Sequence, residues 1–444
     1  MLSGFSDRIR SCLLATGFTL AASLGAASSS AALTIEPVTS PGGITAWLVE
    51  DDTVPVVVMK FAFEGAGAVQ DPEDKPGVAN LLSTLLDEGA GPYDSEAFQT
   101  ELQDRSVRLS FDSSRDSFYG DLEMLADDPG QGIELLRLAL TEPHFDAEPI
   151  ERMRAQIISG IRRDQRDPSA VASDVWSRTA YPDHPYGRPS EGTEESVAAI
   201  EKSDLEAFKT AGFARDNLHV VVVGAIDAET LKPLLDDAFG DLPETADLKP
   251  VADVMPVTGQ TVTETMDVPQ TAVRFGGPGL ARSDPEFIPA FVMNHILGGG
   301  TFSSRLFEEI REKRGLAYSV YTYLAPLDHT AIFGGGTATR ADRVDETVRI
   351  IREEIARMAE EGPTEEELSE AKAYLTGAYP LRFDSSNGIA SQLLSIQMED
   401  LGMNYVDERN GLIEAVTIED VRQAAERVLG GDAPTIVTVG PSGA

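Results

Sequence analysis

The stretch GGGTFSSRLFEEIREKRGLAYSV, residues 298–320, decides how the rest of the chain is read. A glycine run feeds a short amphipathic segment in which Leu306, Phe307 and Ile310 share one side. Gly315 then supplies the left-handed residue on which a helix stops. Residues 316–324 (LAYSVYTYL) alternate and are rich in aromatic and β-branched types, so a strand follows, with Leu316, Tyr318 and Val320 expected on one face. Arg311 in the last helical turn and Tyr318 early in the strand are thereby predicted to converge across Gly315.

Working outward, the stretch is preceded by a strand at 272–275, a Gly-Pro turn and a helix at 286–297. It is followed by strands at 316–324 and 331–338, helices at 344–361 and 364–381, a helix at 417–429 and a strand at 435–439. The first part of the chain runs in the same order. Strands at 33–35, 44–49 and 56–63 lead to a helix at 77–88, where Val78, Leu81, Leu82, Leu85 and Leu86 form a core-facing stripe. Strands at 107–111 and 117–125 come next, then helices at 129–141 and 147–164 and a helical stretch at 176–181. The proline-rich loop 181–189 excludes regular structure. Helices at 194–200 and 202–213, a strand at 218–223 and a helix at 228–239 close this half. An internal duplication of about 200 residues accounts for the order. Residues 243–256, polar and punctuated by proline, read as the connection. The predicted fold is α+β: two similar domains, residues 33–243 and 258–444 with a linker at 244–257, each a mixed or antiparallel sheet with helices packed on one side.

Residues 1–32 differ in character. Arg8 and Arg10 precede an apolar run from residue 12 to 26, and Ser30-Ala31-Ala32 offers a small-x-small cleavage site. The run is shorter than the ~20 residues that span a bilayer. It reads as a signal peptide, which places the mature chain outside the cytoplasm, in the periplasm, with no membrane span left. Cys12 is the sole cysteine, so cysteine zinc sites are excluded from the mature chain. A net charge of −38 argues against nucleic acid and anionic membranes, which reward basic patches.

The 298–320 stretch resembles the C-terminal half of the pitrilysin, insulinase and mitochondrial processing peptidase family of zinc metallopeptidases. The resemblance covers essentially all of the chain after residue 32. It implies that Arg311 and Tyr318, seven positions apart, face a closed chamber. There they would hold a scissile carbonyl or its oxyanion, with Gly299 and Gly300 in a substrate-binding loop at the mouth. The family's other signature, HxxEH, is missing. A helix puts the His, Glu and His of that motif on one face, so that two imidazoles ligate zinc while the carboxylate activates its water. The matching helix carries Asn80, Ser83 and Thr84 instead. On the helix expected to bear the third ligand, no glutamate follows Glu151 until Glu191. The five histidines, His144, His184, His219, His295 and His329, form no i, i+3 or i, i+4 pair. His184 reads as structural. The triple glycine lacks a phosphate-loop pattern, and no GxSxG elbow is present.

The competing reading of the Arg/Tyr pair puts Arg311 in an ion pair with Glu308 or Glu312 and Tyr318 inside the sheet. What the resemblance implies is a zinc-free subunit of an exported heterodimeric metallopeptidase, with no cofactor of its own. Zinc would sit in a homologous HxxEH-containing partner, peptides would be the substrates, and this chain would be inactive alone. A homodimer also satisfies the need for two chains. The alternative is a catalytically inactive scaffold or peptide-binding protein.

Overall fold

Residues 56–63 are largely apolar on both faces because helices cover both faces of the sheet in which the strand they form, β3, lies. The computed structural model describes residues 33–442; the predicted signal segment, residues 1–32, lies outside them. In the first half, strands β1 (Glu36–Thr39), β2 (Thr45–Glu50), β3 (Val56–Phe63), β4 (Arg108–Ser113), β5 (Phe118–Leu125) and β6 (Leu218–Gly224) form one sheet in the order β1-β2-β6-β3-β5-β4. In the second, β7 (Thr261–Thr265), β8 (Gln270–Pro278), β9 (Ala317–Leu327), β10 (Thr330–Arg340) and β11 (Thr435–Gly440) follow the order β7-β11-β8-β10-β9. Five strands of the first sheet, β2-β6-β3-β5-β4, correspond in order to the five of the second, and β1 is an addition at the first sheet's edge. The last strand of each slots beside the central one antiparallel to it, and pairs in parallel with the strand on its other side: β6 with β3 and β2, β11 with β8 and β7. Each half is thus a mixed sheet, and β4 and β9 are equivalent edges.

One face of each sheet packs on helices of its own half. Leu48, Met59, Phe61 and Leu122 meet the Leu81–Leu86 stripe in the first core, and Phe275, Phe333 and Ile436 meet Leu306, Ile310 and Ile351 in the second. The other face takes a helix from the opposite half. The Pro168–Ala180 helix lies on β8 and β11, and the Ser386–Met398 helix on β3 and β6. Trp176 is the anchor: it is buried, its Nε1 donates to the Thr435 carbonyl at 3.2 Å, and its ring fills the space over Gly276 that a Cβ would need. The segment between the halves has no regular structure over 246–258 and is pinned to both sides, Asp247 N donating to Ala211 O and Val254 N to His329 O, each at 2.9 Å. Among the described residues no helix is long and apolar enough to cross a membrane.

Several elements depart from the sequence reading. Residues 33–35 are irregular and the first strand starts at Glu36. The helix expected over 77–88 stops at Ser83; the next turn tightens to i→i+3 bonds, Leu85 N to Leu82 O and Glu88 N to Leu85 O, with Leu85 and Leu86 still fully buried. The helix expected at 176–181 begins at Pro168, where the Asp167 carboxylate caps Ser169 N and Ala170 N. The helix expected over 364–381 runs from Glu365 to Gly377 and yields to a 3-10 turn, Tyr379–Phe383, where Pro380 cannot continue it.

Candidate functional site

The glycine run is forced by space. The Phe287–Asn294 helix widens into a π turn over His295–Gly299. A Cβ on Gly298 would sit 2.6 Å from Thr322 Oγ1, on Gly299 2.6 Å from Asn294 Nδ2, and on Gly300 2.8 Å from His295 O. Thr301 follows at φ +50°, a left-handed conformation that costs a β-branched residue strain. It thrusts Phe302 outward, 74% exposed. A short helix, Arg305–Phe307, passes into a second π turn, Glu308–Glu312, and Gly315 closes it at φ +60°. Such turns recur at functional sites, because the extra residue re-aims a side chain. Arg311 lies in this one.

Arg311 and Tyr318 converge as predicted, but by a different route. β9 carries one extra residue against β10: Val320 pairs with Thr337, yet Ala317 pairs with Thr339. This bulge at Tyr318 and Ser319 breaks the alternation, so Leu316 and Val320 are buried while Tyr318 turns out, 82% exposed. The expectation that the three share a face fails for that reason. Tyr318 then lies against Arg311, whose Cζ is 4.8 Å from its ring centre, 4.7 Å from that of Phe307 and 5.8 Å from that of Phe302. Arg311 Nε also reaches Glu312 Oε1 at 3.7 Å. Half of the competing reading therefore holds, the ion pair with Glu312, and half does not, since Tyr318 is not packed in the sheet. Sequence reasoning missed Phe302; its signal was a lone aromatic residue in a glycine-serine loop.

The helix that replaces HxxEH is closed on itself. Ser83 Oγ donates to Asn80 O and Thr84 Oγ1 to Leu81 O, each at 2.8 Å. Glu151 lies on the Ala147–Asp164 helix and is paired with Arg154 of that same helix. Each histidine has a partner in the protein. His144 Nε2 is 2.8 Å from Gly91 O, His184 Nε2 2.9 Å from Ala252 O, His219 Nε2 2.9 Å from Glu64 Oε2 and His329 Nδ1 3.4 Å from Asp253; His295 stacks on Tyr374. Among the described residues no group of three or more His, Cys, Asp or Glu side chains could hold a metal. A zinc ion does not fit this donor set.

Asp71 orients that helix. It is buried and accepts from Gly77 N at 2.7 Å and Ala79 N at 2.9 Å. Burial pushes its carboxyl up to about 6, against the pull of those amides. A carboxyl whose folded pKa lies above its unfolded value contributes most below about 4 and loses that contribution as pH rises through 6. The advantage of wild type over Asp71→Asn in urea unfolding is therefore expected to shrink between pH 4 and pH 7, by an amount on the order of 3 kcal/mol. An advantage that grew with pH would contradict this.

Comparison with known proteins agrees with the geometry. Residues 52–194 match the family model for the insulinase family, peptidase family M16, and residues 199–375 match the model for the peptidase M16 inactive domain. An uncharacterized zinc protease of Streptomyces coelicolor is 31% identical over 309 residues, 68% of this chain and 67% of that one. The non-peptidase homolog YmxG of Helicobacter pylori is 26% identical over 84% of this chain and 86% of its own. The crystal structure of a peptidase M16 inactive domain from Pseudomonas fluorescens superposes with a TM-score of 0.87 at 27% identity, covering 93% of this chain and 99% of that one. The chain belongs to the insulinase family, peptidase family M16, as a member whose sequence lacks the HxxEH motif.

Proposed function

We propose that this protein is the zinc-free subunit of an exported heterodimeric metallopeptidase, supplying Arg311 and Tyr318 to substrate held against the zinc of a homologous HxxEH-bearing chain. The observation that carries the reading is the arrangement of the pair itself. A π turn, a left-handed glycine and a β-bulge together bring a guanidinium and a phenol side by side at the surface, where packing alone would have buried the tyrosine. Both groups donate hydrogen bonds, and both suit an oxygen that gains negative charge during peptide hydrolysis. Gly299 and Gly300 open the loop that carries Phe302, and Phe302 stands beside Arg311 as a hydrophobic contact for peptide. A second reading, an inactive scaffold or peptide-binding protein, draws on the engagement of Arg311 by Phe302, Phe307 and Glu312, and on the non-peptidase description of the Helicobacter relative.

The first test uses the isolated chain. Plasma mass spectrometry is expected to find zinc well below one equivalent, and quenched fluorescent peptides should stay intact. Sedimentation with an HxxEH-bearing homologue from the same source should give a one-to-one complex. Stoichiometric zinc with cleavage by the lone chain would overturn the assignment; a failure to associate would favour the scaffold.

A further inference from the structure

We infer that the first half carries a binding pocket for a small phosphate ester, built around Arg115 and Arg188; the inference is independent of the Arg/Tyr pair. A cavity of about 450 Å³ opens between the end of the Ala147–Asp164 helix, the start of the Pro168–Ala180 helix and the loop at 188–193. That volume is within the range of small-molecule sites. Both arginines line it. Arg154, Arg282 and Arg305, also shielded from water, are each neutralised by a carboxylate. Arg115 and Arg188 instead bond a serine hydroxyl and backbone carbonyls, and among the described residues neither is in an ion pair. A shielded guanidinium without an acid is costly. Two of them at one cavity, in a chain of net charge −38, call for an anion from outside.

The pocket is preformed. Arg115 Nη2 donates to Ser177 Oγ at 3.2 Å and Nη1 to Tyr186 O at 2.5 Å, which fixes the plane of the guanidinium with donors to spare. Arg188 donates to Asp71 O at 3.4 Å, and its charge draws down the buried Asp71 carboxyl from a distance. The loop beside them is held in place. Gly192, at φ +81°, packs where a Cβ would sit 2.4 Å from Pro76 O, and Thr193 Oγ1 accepts from Ser196 N at 3.1 Å to cap the next helix. The Thr193 hydroxyl keeps its own proton to donate, and the hydroxyls of Ser173 and Ser190 line the same cavity. A phosphate monoester presents three acceptor oxygens to this set of donors. Ile161, Val171 and Pro189 supply an apolar wall for the group it is esterified to. At the mouth Asp174 is paired with Arg178 at 3.0 Å and Asp164 with Arg163 at 3.1 Å, which leaves the exposed Glu191 to oppose the ligand.

The test is isothermal titration calorimetry of the isolated full-length chain in phosphate-free buffer. Phenyl phosphate is the probe, with phenol and inorganic phosphate as controls. Phenyl phosphate is expected to saturate a single site, about tenfold tighter than inorganic phosphate, while phenol gives no heat. Arg188→Gln should weaken binding by about tenfold or more, the loss of one charge-assisted contact. Because Arg188 also bonds Asp71 O, Ser190→Asp serves as a second variant that leaves that bond alone; its added negative charge should abolish binding. Glu191→Gln, which removes a like charge from the mouth, should tighten binding a few-fold. No heat with phenyl phosphate, or binding that ignores both Arg188→Gln and Ser190→Asp, overturns the pocket. Inorganic phosphate binding as tightly as the ester overturns the ligand class, and weaker binding after Glu191→Gln overturns the assigned charge. These outcomes are separate from the Arg/Tyr role, which is read from turnover of the mixed subunits.

Discussion

Arg311→Ala should lower turnover by the mixed subunits by about 10²–10³-fold, the range seen when one oxyanion-stabilising donor is removed from a hydrolase. The guanidinium is the only permanent charge of the pair, and nothing replaces it. Arg311→Lys should recover a part, because an ammonium keeps the charge and loses the planar fork. Tyr318→Phe should cost less, since one neutral hydroxyl is lost while its ring still flanks Arg311 at 4.8 Å. Stability should barely move. Arg311 is held by cation–π contacts and one loose ion pair at the surface, each worth up to about 1 kcal/mol. Assembly, followed by sedimentation, should be unchanged. A large loss of turnover with assembly intact separates a role at the reacting carbonyl from a structural one.

Trp176→Ala should give the largest loss of stability, about 3–5 kcal/mol in urea unfolding. The indole is 3% exposed, bonds the Thr435 carbonyl across the two halves, and packs onto the glycine at position 276. Truncation leaves a cavity and a buried acceptor at the one surface where a helix of the first half covers the sheet of the second. No neighbour can collapse into the gap without moving the whole Pro168–Ala180 helix. Leu381→Ala, at a side chain 72% exposed, serves as the control and should change stability by less than about 0.5 kcal/mol. Equal effects for the two would mean that the exchange of helices contributes little to coupling the halves.

Much of this architecture was legible from periodicity. The stripe at Leu81, Leu82, Leu85 and Leu86 is fully buried, the central strand at 56–63 is flanked on both sides, and the repeat of element order returns as five corresponding strands in the two sheets. What periodicity did not reveal depends on partners distant in sequence. The Ser386–Met398 helix went unassigned, although Ile389, Leu393 and Ile396 gave it a face, and the surface that it covers is the first half's sheet, distant in sequence. The bulge at Tyr318 was invisible for a similar reason: the strand alternates on paper, and only the register of β10 shows the extra residue. The convergence of Arg311 with Tyr318 was readable from the Gly315 turn. The aromatic flank contributed by Phe302 was not, because it depends on the left-handed Thr301.

The most direct measurement of the central claim is the cleavage rate of a quenched fluorescent peptide by a fixed amount of the HxxEH-bearing chain as this chain is titrated in. The account predicts a rate that starts near zero, rises, and levels off at one equivalent. A rate already at its plateau before any of this chain is added would contradict it.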